Sequence, residues 1–187
     1  MAHCFVYLIG TFLFLVATLL GWFGTWYCRY VDQVLNGTST QFGLFNAYQG
    51  GGNLQDQCIL PQDITTQITF LSFDIWADAY LNVARGCGAT ANVLSALCSL
   101  LLWCGLCCGH ADARGFRSCM GGMACACALL QGFEFLILLS DLCNLDGAVC
   151  TLDFAATLNI VSIAIFVVAG FVCCCVPEIK DDGDGLY

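Results

Sequence analysis

The sequence predicts an α-helical membrane protein with four spans and one folded polar region between the first two spans. Of its 187 residues, 59% are hydrophobic and only 10% are charged. The mean hydropathy of +0.81 lies far outside the range of soluble domains. Four long apolar stretches fill most of the chain, and residues 29–85 form the one long polar segment. A soluble globular enzyme is therefore excluded.

Each apolar stretch is long enough to cross a bilayer. The first, residues 5–28, carries no charge and extends about 36 Å at 1.5 Å per residue, which exceeds a hydrocarbon core of roughly 30 Å. It is too long for a signal peptide, and no basic residue precedes it. The other predicted spans are residues 86–108, 119–140 and 154–176.

Residues 29–85 have the composition of a folded loop domain. Isolated apolar residues alternate with Thr, Ser, Gln and Gly in its first half, which favours short strands and turns. Residues 64–83 then place apolar side chains at helical spacing, so we expect an amphipathic helix that leads into the second span. Pro61 and Asp63 are suitable residues for its start.

The distribution of basic residues predicts the topology. Four spans put both termini on one side of the membrane, together with the loop 109–118 and the tail 177–187. That side carries Arg114, Arg117 and Lys180, against Arg29 and Arg85 on the other. The positive-inside rule therefore places the termini in the cytoplasm and the loops 29–85 and 141–153 outside. We expect the membrane to be the plasma membrane. The tripeptide that begins at Asn36 is a glycosylation candidate consistent with this orientation.

Of the sixteen cysteines, those in the polar loops and those at the helix ends fall mainly on opposite sides of the membrane. Cysteines in the outer loops are disulfide candidates if that side is oxidising, and they comprise Cys58, Cys143 and Cys150. Cysteines at the cytoplasmic helix ends are candidates for reversible palmitoylation, and they comprise Cys107, Cys108, Cys173, Cys174 and Cys175.

The net charge of −9 comes from 14 acidic against 5 basic residues. Nucleic acid is therefore not expected as a partner, whereas the acidic outer loops should attract cations. The preferred interpretation of this charge is a solvated surface.

The exception to the acidic exterior is Glu134, an acid inside the third span. Intramembrane acids usually face the bundle interior, and we expect either pairing with Arg85, a protonated and hydrogen-bonded side chain, or an ion or proton pathway.

Other polar and small residues within the spans are interpreted as packing features. Asn92 and Asn159 are expected to hydrogen-bond between helices, and Gly121 and Gly122 to allow close helix contact.

In the order of its parts the chain resembles the claudin and peripheral myelin protein superfamily of four-span membrane proteins. The resemblance is carried by Trp26 near the end of the first span, Gly43-Leu44-Phe45, Cys58 and Arg85, with a cysteine-rich end to the fourth span. Phe45 stands where the family has Trp, and Cys58 is the one cysteine between the first two spans. Its partner could be Cys28, Cys87 or a cysteine of the second loop, or it could remain free.

The resemblance implies a left-handed four-helix bundle that carries a small extracellular antiparallel sheet, closed by the short helix of the first loop. It implies a non-enzymatic protein without cofactor or metal that binds other membrane proteins in adhesion, barrier formation or lateral assembly. The alternative is an auxiliary subunit of a channel, a receptor or another large membrane complex. A third hypothesis is a thiol oxidoreductase that uses Cys104-x-x-Cys107 and the loop pair Cys143 and Cys150. These pairs are predicted on opposite faces of the membrane, where thiol exchange between them is impossible.

Overall fold

The computed structural model describes residues 2–35, 38–45, 47–49, 57–59, 78–108, 114–144 and 146–175. Its long helices are α1 (Ala2–Trp26), α2 (Ala79–Cys108), α3 (Arg114–Gly132) and α4 (Phe154–Cys175). A 3-10 helix, Phe133–Leu139, continues α3. Among the described residues, four helical segments are long and apolar enough to cross a membrane, which agrees with the four spans predicted from the sequence.

Two helix boundaries differ from those predicted from hydrophobicity. The helix α2 begins at Ala79, seven residues before the predicted start of the second span, because Asp78 caps it and accepts a hydrogen bond from the Leu81 amide at 3.0 Å. The last five residues of the predicted helix 64–83 therefore belong to α2, and residues 64–77 lie outside the described part of the chain. The third span changes from α-helix to 3-10 helix after Gly132.

The described polar segments form one antiparallel sheet at one end of the helix bundle, here called the sheet end. Its strand order is β4-β3-β2-β1-β5. The strands are β1 (Val31–Leu35), β2 (Thr38–Phe42), β3 (Ala47–Gln49), β4 (Gln57–Ile59) and β5 (Val149–Leu152).

Strand β5 comes from the second loop, which the sequence did not predict to join the sheet. It pairs with β1 in the register Val31 to Leu152 and Val34 to Val149. The backbone amide of Asp153 donates to the carbonyl oxygen of Tyr30 at 3.0 Å, which fixes the end of this pairing next to α4. The sheet therefore links both predicted outer loops.

The bundle has two buried apolar clusters that are separated along the helix axes. The cluster at the sheet end includes Tyr30, Val31, Leu44, Leu81 and Ile137. The other lies nearer the opposite end and includes, among others, Phe14, Cys98, Leu102, Met120, Ala124 and Phe166. Helix positions between these clusters carry polar side chains, while large exposed apolar residues face outward along all four helices, as lipid contact requires.

Candidate functional site: a polar layer inside the bundle

A buried layer of polar side chains lies between the two apolar clusters, and we call it the polar layer. Each of its side chains is 7% exposed or less. All four helical spans contribute to it, and its members are Thr18, Thr25, Asn92, Ser95, Ser99, Gln131, Glu134, Asn159 and Ser162, with the phenol of Tyr30 at its edge. Buried polar groups are costly unless they are hydrogen-bonded, so their partners decide what the layer can do.

Glu134 lies in this layer with no solvent exposure. Its carboxyl oxygens lie 3.0 and 3.1 Å from the hydroxyl oxygen of Thr25 on α1. The sequence correctly identified Glu134 as an interior acid, but its hydrogen-bond partner is Thr25 rather than the expected Arg85. The Nε of Arg85 instead donates to the carbonyl oxygen of Leu44 at 2.5 Å, and this bond connects α2 to the segment that follows β2.

A glycine on α2 makes room for the carboxyl group. A Cβ atom at Gly88 would lie 2.9 Å from the Thr25 Cγ2 and 3.0 Å from the Glu134 Cδ. The first distance is shorter than real Cβ contacts and the second is tighter than most of them, so a larger residue at Gly88 must displace Thr25 or Glu134. Close approach of α2 to this pair therefore depends on glycine.

Gln131 lies one turn before Glu134 and is also fully buried. Its amide lies 2.8 Å from the hydroxyl oxygen of Ser162 on α4, and that hydroxyl lies 2.7 Å from the carbonyl oxygen of Ala17 on α1. A Cβ atom at Gly21 would come within 1.9 Å of the Gln131 amide. Gln131 thus joins three helices through a gap that glycine leaves open.

The two asparagines of the layer behave differently from each other. The Asn159 amide nitrogen donates to the Tyr30 hydroxyl at 3.1 Å, so it ties α4 to the segment between α1 and β1, whereas the sequence predicted a bond to another helix. Neither side-chain polar atom of Asn92 has a hydrogen-bond partner among the described residues. That prediction was wrong for its side chain, although its backbone oxygen accepts from Trp22 Nε1 at 3.3 Å.

The positions that carry the family resemblance lie together at the sheet end. Trp26 stacks on Phe45 with ring centroids 4.5 Å apart and an interplanar angle of 18°. Leu44, the residue before Phe45, is fully buried, and its carbonyl oxygen accepts the Arg85 hydrogen bond already described. These residues anchor the sheet to α1 and α2, which is a structural role.

The cysteines differ in bonding state between the two ends of the bundle. Cys143 and Cys150 form a disulfide with a Cα–Cα distance of 5.6 Å, which confirms a bridge in the second loop. Cys28 is also disulfide-bonded, whereas Cys87, an expected candidate, is a free thiol. The side chain of Cys58 on β4 lies outside the described part of the chain.

Free thiols lie along the spans and at the end opposite the sheet, where Cys174 is exposed and Cys173 is buried. The side chains of the other palmitoylation candidates, Cys107, Cys108 and Cys175, lie outside the description. Cys104 is free and exposed, and it lies roughly 38 Å along α2 from Ala79 at 1.5 Å per residue. It is therefore far from the Cys143–Cys150 bridge.

Acidic residues at the sheet end are partly used within the fold. Asp78 is 4% exposed, and besides capping α2 it accepts from the Asp141 backbone amide at 2.8 Å. Asp153 forms an ion pair with Arg29 at 3.1 Å and accepts from the Phe154 amide. The acidic surface available to cations is correspondingly smaller than the sequence count suggests. Asn36, Asp63 and the acidic tail lie outside the described residues.

Sequence reasoning missed several members of the polar layer, although weak signals were present. Gln131 precedes Glu134 by three residues, which places both on one helix face. Thr18 and Thr25 are seven residues apart on α1 and share a face in the same way. Neither a protein-family model nor a curated protein matches the chain. Its function therefore has to be inferred from these contacts.

Proposed function

We propose that this protein is a non-enzymatic membrane protein that assembles laterally with other membrane proteins through the free edge of its sheet. The observation that carries the proposal is strand β5, which pairs with β1 on one side and, among the described residues, has no strand on its other side. An edge strand presents unpaired backbone donors and acceptors to any strand that approaches it.

The side chains of β5 strengthen this interpretation. Val149 is 61% exposed and Leu152 is 41% exposed. Val34 on β1, the residue paired with Val149, is also exposed. Natural edge strands usually carry charges or prolines that prevent pairing, and β5 carries neither. An apolar edge without such protection favours a protein partner.

The orientation we propose places the sheet outside the cell and both termini in the cytoplasm of a plasma-membrane protein. The distribution of disulfides supports it, because the bonded Cys28, Cys143 and Cys150 all lie at the sheet end and disulfides persist on the oxidising side. Glycosylation at Asn36, palmitoylation at the opposite end and a left-handed bundle complete the proposal. Removal of a glycan by glycosidase, or reaction of Cys174 with an impermeant thiol reagent only after cell permeabilisation and cleavage of any thioester by hydroxylamine, tests the topology.

The assembly is tested by purification in mild detergent, with a Val149→Lys variant and a matched Asp146→Asn control. Both substitutions change the net charge by one positive unit within the same loop, but only Val149 lies on β5. Cross-linking between two differently tagged copies reports self-assembly, and mass spectrometry of co-purified chains reports other partners. We expect Val149→Lys to reduce cross-linking or co-purification at least several-fold, while Asp146→Asn leaves both at the wild-type level.

The result also separates the two functional classes. Self-association that depends on Val149 identifies an adhesion, barrier or lateral-assembly protein. Stoichiometric co-purification with a larger complex, lost in Val149→Lys, identifies an auxiliary subunit. A wild-type protein that remains a monomer and captures no partner in cross-linked cells refutes the proposal.

A further inference from the structure

The hydroxyl group of Thr25 has more acceptors near it than hydrogens to donate. Its oxygen lies 2.8 Å from the Gly21 carbonyl oxygen and 3.0 and 3.1 Å from the two Glu134 carboxyl oxygens. A hydroxyl carries one hydrogen, and a backbone carbonyl carries none. If Glu134 were a carboxylate, two of these three short contacts would bring acceptor oxygens together with no hydrogen between them.

A neutral Glu134 supplies a second hydrogen, so two of the three contacts are hydrogen bonds and only the contact of the second carboxyl oxygen carries no hydrogen. The Thr25 hydroxyl then donates to the Gly21 carbonyl oxygen, and the carboxylic acid O–H of Glu134 donates to the Thr25 oxygen. Each hydrogen has one acceptor, and the shortest contact is the bond to the carbonyl group.

The Ser162 hydroxyl has a similar excess of acceptors. Its oxygen lies 2.7 Å from the Ala17 carbonyl oxygen and 2.8 Å from the Gln131 amide. Since the Ala17 carbonyl group only accepts, the Ser162 hydrogen belongs to it, and the Gln131 amide must donate to Ser162 through its nitrogen. The Gln131 oxygen then occupies the other amide position, which has no hydrogen-bond partner among the described residues.

The described side chains of the polar layer include no basic residue that would stabilise a carboxylate. Arg85, one turn before Gly88 on α2, donates its Nε hydrogen to the Leu44 carbonyl oxygen and has Asp78 as an electrostatic partner, so it is engaged at the sheet end.

The titratable group that faces Glu134 is Tyr30, and burial raises the pKa of its phenol, so that the phenol stays neutral. From α1, α2 and α4 the carboxyl group meets Thr25, Gly88 and Asn159, none of which titrates. An ionised carboxylate in such surroundings costs several kcal/mol.

We propose that Glu134 is a proton-binding site inside the membrane, which at neutral pH carries a proton and donates it in a hydrogen bond to Thr25. The proton is the ligand, and Thr25 with Gly21 forms the acceptor chain that holds it. Apolar clusters above and below the polar layer separate this proton from both aqueous sides in the described conformation. The inference is independent of the proposed assembly through β5.

The sequence offers an unusually clean test, because it contains two glutamates, Glu134 and Glu178. Selective labelling of glutamate with carboxyl carbon-13 in the intact, detergent-solubilised protein gives one resonance for each. The Glu178→Gln variant assigns the Glu134 signal. We expect Glu134 to show the chemical shift of a protonated acid at pH 7, with the Glu178 resonance as the internal comparison.

A Thr25→Val variant tests the acceptor, because valine keeps the shape of threonine but has no hydroxyl group. We expect it to move the Glu134 resonance and to leave that of Glu178 unchanged. A carboxylate shift for both glutamates at pH 7 in the wild-type protein overturns the proposal. An unchanged Glu134 resonance in Thr25→Val overturns the assignment of Thr25 as the acceptor.

Discussion

Two adjacent glycines of α3 allow the packing between α3 and α4 to be measured against an internal control. A Cβ atom at Gly121 would lie 2.2 Å from the Cys174 sulfur and 3.2 Å from the Gly170 carbonyl oxygen, whereas one at Gly122 would meet no heavy atom within 4 Å. Both glycines lie in the interior of the same helix. The change Gly→Ala therefore gives the two sites the same gain in helix propensity, about 1 kcal/mol.

The two substitutions should have opposite effects. Overpacking at Gly121 costs about 1–3 kcal/mol, which exceeds or cancels the propensity gain, so Gly121→Ala should lower the free energy of unfolding by up to about 2 kcal/mol. Gly122→Ala should raise it by up to about 1 kcal/mol. The added variant Cys174→Ala in the Gly121→Ala background removes the sulfur contact but leaves the backbone contact with Gly170, so it should recover part of the loss.

The assay is unfolding in mixed micelles by increasing mole fraction of a denaturing detergent, followed by circular dichroism. Comparable unfolding midpoints for Gly121→Ala and Gly122→Ala would show that α3 and α4 are not in close contact at Gly121, and the packing argument would fail. A loss in both variants would point instead to a requirement for glycine in the helix itself.

Three further predictions concern the sheet end. Asp78→Ala removes two buried hydrogen bonds and should destabilise the protein by about 2–3 kcal/mol in the same unfolding assay; an effect below that of an exposed substitution would contradict its role as a cap. Replacing Cys143 and Cys150 by serine should increase hydrogen exchange in β5, since the bridge closes a short loop and contributes about 2–3 kcal/mol; exchange equal to that of the wild-type protein would show that the sheet alone holds β5. Arg29→Ala should lower the free energy of unfolding by less than about 1 kcal/mol because its ion pair with Asp153 is partly exposed. Asp153→Ala should lower it by more, because Asp153 also accepts a hydrogen bond from the Phe154 amide at the start of α4. Equal losses in the two variants would refute this asymmetry.

The sequence predicted those features that depend on local composition. Spans are recognisable because every residue in lipid must be apolar or internally satisfied over about 20 positions. Glu134 was identified as an interior acid for the same reason, and Cys143 and Cys150 were identified as disulfide candidates because both lie in a polar outer loop. Each of these conclusions requires only neighbouring residues in the chain.

The candidate site itself depended on contacts between distant segments. Thr25 and Glu134 are 109 residues apart, and their contact depends on Gly88 from a third helix. Hydrophobic periodicity locates the interior face of each helix, but it does not state which residue of one helix lies opposite which residue of another. The choice of Arg85 as the partner of Glu134 failed at this point, because Arg85 bonds to the Leu44 carbonyl oxygen instead.

By itself, the sequence determined a four-span membrane protein with a polar region between its first two spans, because the absence of water in lipid leaves helices as the only structure for such apolar segments. Tertiary structure alone decided that the second loop adds β5 to the sheet, that α2 begins at Ala79 behind its cap Asp78 and that the acid of the third span meets Thr25. These features arise from the register between packed helices and paired strands, which is a property of the assembled chain rather than of any one segment.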